Sequence, residues 1–403
     1  MGNRLEELGQ LVEAAGAKIV GQVFFKGARH DPVYFVGKGK ALEIFTQKEA
    51  LGGDLVVFDG ELTPAQVRNL ESLVNCRVLD RTNVILDIFA QRARTREGKL
   101  QVELAQLKYL LPRLAGTGAE LSRLGGGIGT RGPGETKLET DRRHIRHRIR
   151  ILEREIKGVQ ERRQRQRIYR NKLGLPLISL VGYTNAGKST LMNRLSCAGV
   201  PEENQVFSTL DPVCRLIQLP GNRFALLTDT VGFIRNLPHH LVAAFRATLE
   251  EVREANLLLH VVDASSPDME EQINAVLQVL KEIDAEQVKT ITVFNKMDKV
   301  WQKEGDWFWF NQTPDSVAIS ALTGQGIKQL LFLINKCLPR PGGRFKLFLP
   351  FSQLNVLTRI HQQGEVYRIE YQDDGAVVVA WIEPALLGMV EPYIVERIIE
   401  SGS

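Results

Sequence analysis

The sequence predicts an α/β fold with four parts: a small α/β unit, a long helical hairpin, a larger α/β unit built on a phosphate-binding loop, and a small α+β unit. Three observations predict it. Apolar runs of strand length alternate with helical patterns between residues 176 and 338, as β-α-β units require. The turn Gly182-Tyr183-Thr184-Asn185-Ala186-Gly187-Lys188-Ser189 follows the first of these runs and opens a helix. From about Thr82 to Lys172 the apolar period turns helical, interrupted only by a Gly-rich stretch.

Residues 1–80 read as an N-terminal α/β unit. Ala17–Phe25 is expected as a strand, Leu42–Leu51 as a helix and Asp54–Phe58 as a second strand. Thr63-Pro64-Ala65-Gln66 opens another helix, with Thr63 as N-cap and Pro64 in the first helical position. Cys76–Leu79 reads as a third short strand, so a small parallel sheet is expected.

Residues 81–173 read as a basic helical hairpin. Val84, Ile85, Ile88 and Phe89 have helical spacing, as do Leu100, Leu104, Leu107 and Leu111. The Gly-rich segment 124–134 cannot form regular structure. A long basic helix from about Glu135 to Lys172 follows, with Ile145, Ile149, Leu152 and Ile156 as its one apolar stripe. The glycines therefore form a projecting tip between two helices.

Residues 174–340 carry the expected strands Leu177–Gly182, Phe224–Thr228, Leu257–Val262, Thr290–Phe294 and Val317–Ile319. Their near-continuous apolar character suits buried parallel strands. Helices are expected at Lys188–Leu195, Leu241–Glu254, Met269–Ile283 and Ile327–Cys337. Pro339-Arg340-Pro341-Gly342-Gly343 is a linker. Residues 344–403 then read as strand, helix, two strands about Asp373-Asp374-Gly375, and helix.

At 403 residues the chain is too long for one ordinary core. No run of eighteen apolar residues predicts a membrane span, and the first residues lack the apolar stretch of a secretion signal. A cytoplasmic location is expected, with peripheral membrane attachment left open. The four cysteines are scattered and are expected to be buried thiols. The net charge of +5 conceals an asymmetry: Phe89–Arg170 holds 21 Lys and Arg against 9 Asp and Glu. A basic block beside acidic units points to a polyanionic partner, nucleic acid first.

Gly182, Gly187, Lys188 and Ser189 have the spacing of a P-loop in the strand-then-helix setting that motif needs. Backbone N–H groups from Gly182 to Thr190 (through Tyr183, Thr184, Asn185, Ala186, Gly187, Lys188 and Ser189) are expected to cradle phosphate. Lys188 is expected to reach the β- and γ-phosphates, and the Ser189 hydroxyl to ligate Mg²⁺. Asp229 ends an apolar strand, where a carboxylate for the same ion belongs. Gly232 offers an N–H to the γ-phosphate. Thr209, with Ser208 as competitor, is expected to complete the Mg²⁺ shell. Lys188, Thr209 and Gly232 form the candidate catalytic set.

Asn295-Lys296-Met297-Asp298 follows another apolar strand. Asp298 can accept two hydrogen bonds from guanine, which adenine cannot offer; a buried pair of this kind discriminates by factors on the order of 10⁴. Lys296 can lay its stem on the base, and Ser320-Ala321 can present an N–H to the guanine oxygen. A GTP/GDP site with Mg²⁺ is the resulting expectation. Many small GTPases carry a Gln after the Asp-x-x-Gly segment to orient water; here Phe233 stands there. Slow intrinsic hydrolysis follows from that substitution.

Beyond these motifs, Asp80-Arg81-Thr82, Ile85-Leu86-Asp87-Ile88-Phe89-Ala90-Gln91-Arg92-Ala93, Glu97–Ala105, Gly125–Gly129 and Arg131–Arg143 closely resemble the HflX family of ribosome-associated GTPases. The resemblance spans about residues 15–340. It implies an N-terminal domain with α/β and helical parts ahead of the G domain, binding to the large ribosomal subunit, and splitting of stalled or idle ribosomes with GTP bound. Phe233 matches the family's hydrophobic residue, whereas Lys137 stands where many members have Gln. The resemblance suits the basic block: Arg92, Arg94, Arg96, Lys99, Arg123, Arg131, Arg142, Arg143 and Arg146 are candidates for rRNA phosphates. Away from the ribosome a monomer is expected. A ribosome-assembly GTPase and a regulatory GTPase at a protein or membrane-associated partner share every nucleotide motif. A small-molecule kinase does not share Asn295-Lys296-x-Asp298.

Overall fold

The computed structural model describes residues 2–25, 30–114, 133–172, 175–196, 213–221, 223–230, 232–233, 251–300, 315–339 and 342–398. Thr209, Ser208, Arg123, Arg131, the segment 124–132 and most of the expected helix Leu241–Glu254 lie outside these residues.

The chain opens with α1 (Gly2–Ala14), an element the sequence reading did not anticipate. Helices α2 (Lys38–Leu51) and α3 (Pro64–Val74) flank a parallel pair, β1 (Leu55–Phe58) and β2 (Arg77–Asp80). Ala41, Ile44, Leu70 and Val74 close over Phe58 and Val78. Thr63 caps α3 as expected, and Gln66 completes the reciprocal box. The expected strand Ala17–Phe25 is not formed. Val20, Phe24 and Phe25 are exposed there, and β propensity without a paired edge does not make a strand.

Helix α4 (Arg81–Arg92) follows β2 directly, with Asp80 as its N-cap. Helix α5 (Arg96–Arg113) then packs antiparallel on α6 (Pro133–Lys172), as the ion pairs Arg96–Glu155 and Arg148–Glu103 show. The seam holds Leu100, Leu104, Leu107 and Leu111 against Ile145, Ile149, Leu152 and Ile156, the two stripes read from the sequence.

The larger α/β unit is a six-stranded sheet in the order β4-β5-β3-β6-β7-β8. The strands are β3 (Leu177–Gly182), β4 (Val213–Leu219), β5 (Arg223–Asp229), β6 (Leu257–Asp263), β7 (Thr290–Asn295) and β8 (Ser316–Ala318). Helices α7 (Lys188–Leu195), α8 (Met269–Glu282) and α9 (Ile327–Cys337) complete it. All pairings are parallel except β4 with β5, an antiparallel edge that no expectation included. Val213–Leu219 alternates exposed and covered residues, so it lacks the continuous apolar run of its neighbours. That alternation also corrects the expectation for the cysteines: Cys214 on β4 is exposed, while Cys76 and Cys337 are half-buried.

The last unit has β9 (Gly343–Pro350), α10 (Leu354–Gln363), β10 (Glu365–Gln372), β11 (Gly375–Ile382), α11 (Pro384–Val390) and β12 (Ile394–Ile398). Its antiparallel sheet runs β10-β11-β9-β12, with Val356, Ile360, Leu386 and Val390 packed on one face. The final strand β12 was not expected from the sequence. No helix among the described residues is long and apolar enough to cross a membrane.

The hairpin seam yields a contrast in magnitudes. Leu152 is fully buried, so Leu152→Ala should destabilise the protein by about 2–5 kcal/mol in chemical denaturation. Arg96 is 79% exposed in its pair with Glu155, so Arg96→Ala should cost less than about 1 kcal/mol.

Candidate active site

The carboxyl ends of β3, β5, β6 and β7 lie side by side, because all four are parallel in one sheet. Loops leaving these ends meet at a single edge, where open α/β sheets bind ligands. The sequence-predicted residues that can be placed come together there.

Gly187 has φ 94° and heads α7. A Cβ on it would lie 2.3 Å from Asn295 Nδ2, so only glycine lets the loop pass the Asn295 side chain. Asn185 also takes a positive φ, 60°. Lys188 is buried under the loop, and its Nζ donates to the carbonyls of Gly182 (3.0 Å) and Tyr183 (2.8 Å). Burial pulls its pKa down to about 8, against a smaller opposing pull from Asp229. His260 on β6 is buried, and its pKa falls to about 4, from burial first and Lys188 second; it is neutral at pH 7.

Ser189 Oγ donates to Asp229 Oδ2 at 2.9 Å. A hydroxyl and a carboxylate this close, at the end of the loop, form the hard-oxygen donor set that Mg²⁺ takes. Thr230 is pinned by its Oγ1 donating to Leu180 O at 2.6 Å. Gly232 sits over the loop: a Cβ there would lie 3.0 Å from Thr184 Cα and 3.1 Å from Lys188 Nζ. Phe233 N donates to Gly182 O (3.1 Å), and Thr184 N donates to Phe233 O (2.8 Å), so this segment and the phosphate loop are bonded as one ribbon. The Phe233 ring is 2% exposed, turned into the core, where it cannot orient water.

The base side is tied to the phosphate side by one amide. Asn295 is 2% exposed; its Nδ2 donates to Ala186 O, and its Oδ1 accepts from Ala321 N, both at 2.9 Å. Lys296 has φ 62°, and its Nζ donates to Asp263 Oδ2 at 2.7 Å. Asp298 Oδ1 accepts from Ser320 Oγ at 2.6 Å. This leaves the carboxylate's remaining capacity for two adjacent N–H donors of a purine. Sequence reading did not single out Asp263, which anchors Lys296 and also accepts from Ser265 N (3.0 Å) and Oγ (2.6 Å). Its signal was available: an acid at the end of a buried strand, apolar but for His260, that reaches the site edge.

The candidate RNA contacts do not converge on this site. Arg94, Arg96, Lys99, Arg143 and Arg146 are exposed, and Arg92 and Arg142 are half-buried. They lie along the hairpin or just before it, with Arg96 already in its ion pair.

Three family models match residues 2–296 in order: "GTP-binding GTPase N-terminal" over residues 2–90, "GTP-binding GTPase Middle Region" over 92–170, and "50S ribosome-binding GTPase" over 177–296. The GTPase HflX of Caldanaerobacter subterraneus is 44% identical over 97% of this chain and 90% of that protein. The GTPase HflX of Escherichia coli is 46% identical over 95% and 93% respectively. A crystal structure of a GTP-binding protein from Sulfolobus solfataricus in complex with GDP is 25% identical; it covers 82% of this chain and 94% of its own, with a TM-score of 0.44.

Fold and site thus define a P-loop GTPase, which binds guanine nucleotides and hydrolyses GTP. Its identity over nearly the full length with those relatives makes this chain a member of the HflX GTPase family.

The lowered pKa of Lys188 has a measurable consequence. Near pH 8 the free protein holds this amine about half protonated, and an anionic phosphate restores the charge. Below pH 7 the amine is already charged, and above the ordinary lysine value it stays neutral. GTP binding at pH 8 should therefore take up about half a proton, seen as a dependence of calorimetric enthalpy on buffer ionisation. Lys188→Met should remove that uptake.

Proposed function

We propose that this chain is a GTP-driven switch that docks on the large ribosomal subunit through its basic hairpin and separates stalled or idle ribosomes. The observation that carries this reading is the joining, in one chain, of an assembled guanine-nucleotide site to an antiparallel hairpin that exposes Arg94, Arg96, Lys99, Arg143 and Arg146. Arginines on a rigid rod suit rRNA phosphates, and Arg131, Arg123, Arg92 and Arg142 extend the same set in sequence. The family description "50S ribosome-binding GTPase" supports the same partner.

Within the site, Lys188 moves from the carbonyls of Gly182 and Tyr183 to the β- and γ-phosphates. Backbone N–H groups of Gly182–Thr190 hold the remaining phosphate oxygens. Ser189 and Asp229, which already meet, would hold Mg²⁺ together with Thr209, and the ion would neutralise phosphate charge. Gly232 N–H meets the γ-phosphate, and Asn295, Lys296, Asp298, Ser320 and Ala321 enclose guanine. Buried Phe233 leaves the attacking water without a side chain from that position, so intrinsic turnover is slow and the ribosome supplies the missing order. Groups supplied in this way raise rates by about 10³–10⁵. The protein acts in the cytoplasm.

Two experiments test this function. GTP hydrolysis should rise strongly on adding purified large subunits, and less at high salt because docking releases counterions. A rate indifferent to subunits would move the partner elsewhere; stimulation without dissociation of assembled ribosomes would favour a role in assembly. Asp298→Asn should shift preference from guanine towards xanthine nucleotides, and an unchanged preference for GTP would remove Asp298 from base reading.

A further inference from the structure

The phosphate-binding loop is held from outside its own domain. Tyr183, the second residue of that loop, is 6% exposed, and its hydroxyl donates to Glu7 Oε1 on α1 at 2.5 Å. The same Glu7 oxygen accepts from Arg81 Nη2 at 2.8 Å, while Arg81 Nη1 donates to Asp59 Oδ1 at 2.8 Å. Arg81 opens α4 and its side chain is 6% exposed, so this is a part-buried chain of charge-assisted bonds centred on a buried guanidinium. Burial works against the Arg81 charge, but Glu7 and Asp59 more than offset it.

Tyr183 is also coupled to the reacting end through its backbone. Its carbonyl accepts from Lys188 Nζ at 2.8 Å. It forms a bridge with Phe233, whose N–H donates to Gly182 O at 3.1 Å. The rings of Tyr183 and Phe233 belong to one buried cluster with Leu11 of α1, Ile85, Ile88 and Phe89 of α4, and Ala105 of α5. Both strands of the loop ribbon, before and after the phosphate position, are therefore seated in the N-terminal helices.

We infer that Glu7 is a positioning residue for nucleotide binding: held by Arg81, it fixes Tyr183 and thereby sets the backbone that cradles phosphate and releases Lys188. Glu7 touches no nucleotide. It acts through the Tyr183 hydroxyl, and the two ends are reciprocally linked: what α1 does to nucleotide affinity, nucleotide does to α1. No motif in the G domain records this contribution, because its donor and acceptor lie 176 positions apart in the chain.

The test is a double-mutant cycle on the full chain. Tyr183→Phe removes one oxygen and keeps the ring in its cluster; Glu7→Gln keeps an acceptor but loses the charge, and Glu7→Ala removes both. Release of a fluorescent GDP analogue, followed by stopped flow, should quicken roughly three- to tenfold in Tyr183→Phe. Glu7→Ala should match it, Glu7→Gln should fall between it and the unmodified protein, and the double variant should be no faster than the faster single. Amide exchange across α1 should slow on GDP binding in the unmodified protein and not in Tyr183→Phe. If Glu7→Ala does not fold because buried Arg81 is left with Asp59 alone, Glu7→Gln with Tyr183→Phe completes the cycle. Unchanged release rates with only a lowered melting temperature would overturn the inference, as would additive effects or equal α1 protection by GDP in both proteins.

Discussion

The geometry of the nucleotide site rests on the side-chain amide of Asn295. An amide can donate and accept in one plane, and here it does both in a buried setting, to Ala186 O and from Ala321 N. Three loops from separate strands are fixed relative to one another by that one group. A carboxylate could not donate to Ala186, and a hydroxyl could not span both partners. Gly187 must be glycine because the same amide lies where its Cβ would be. The phosphate loop, the Asp298 carboxylate and the Ser320 hydroxyl that holds it take their places around this point.

Charge is distributed by the same logic of burial and exposure. Lys188 is buried under the loop, and burial destabilises its ammonium. The hairpin arginines are exposed on a rod whose stability comes from its leucine and isoleucine seam. The rod can therefore carry a basic surface without depending on it for folding. Exposed ion pairs such as Arg96–Glu155 contribute little to stability and leave arginines exchangeable with another polyanion.

Much of the fold was legible in the sequence because it repeats a period. Leu100 to Leu111 and Ile145 to Ile156 announced the two faces that meet in the hairpin. The almost wholly apolar Leu177–Gly182 and Leu257–Val262 announced buried parallel strands. Besides the unanticipated α1, two strands were missed and one expected strand did not form, for identifiable reasons. Val213–Leu219 is an antiparallel edge strand with exposed Leu216, so its pattern lacks a continuous apolar run. Ile394–Ile398 is likewise a short edge strand with Val395 and Glu396 exposed. Ala17–Phe25 carried the composition of a strand but has no ladder partner among the described residues.

The sequence by itself determined the phosphate loop, the Asn-Lys-x-Asp segment, the acid Asp229 and the position of Phe233, since each is a short run whose chemistry follows from residue type and spacing. Only the tertiary structure decided that Asp263 anchors Lys296, that Phe233 is buried with the N-terminal helices, and that Glu7 and Arg81 reach the phosphate loop through Tyr183. The physical reason is separation along the chain. Local motifs are encoded by neighbours, whereas a carboxylate on α1 acquires a partner in the G domain only after both helical units have buried their apolar faces together.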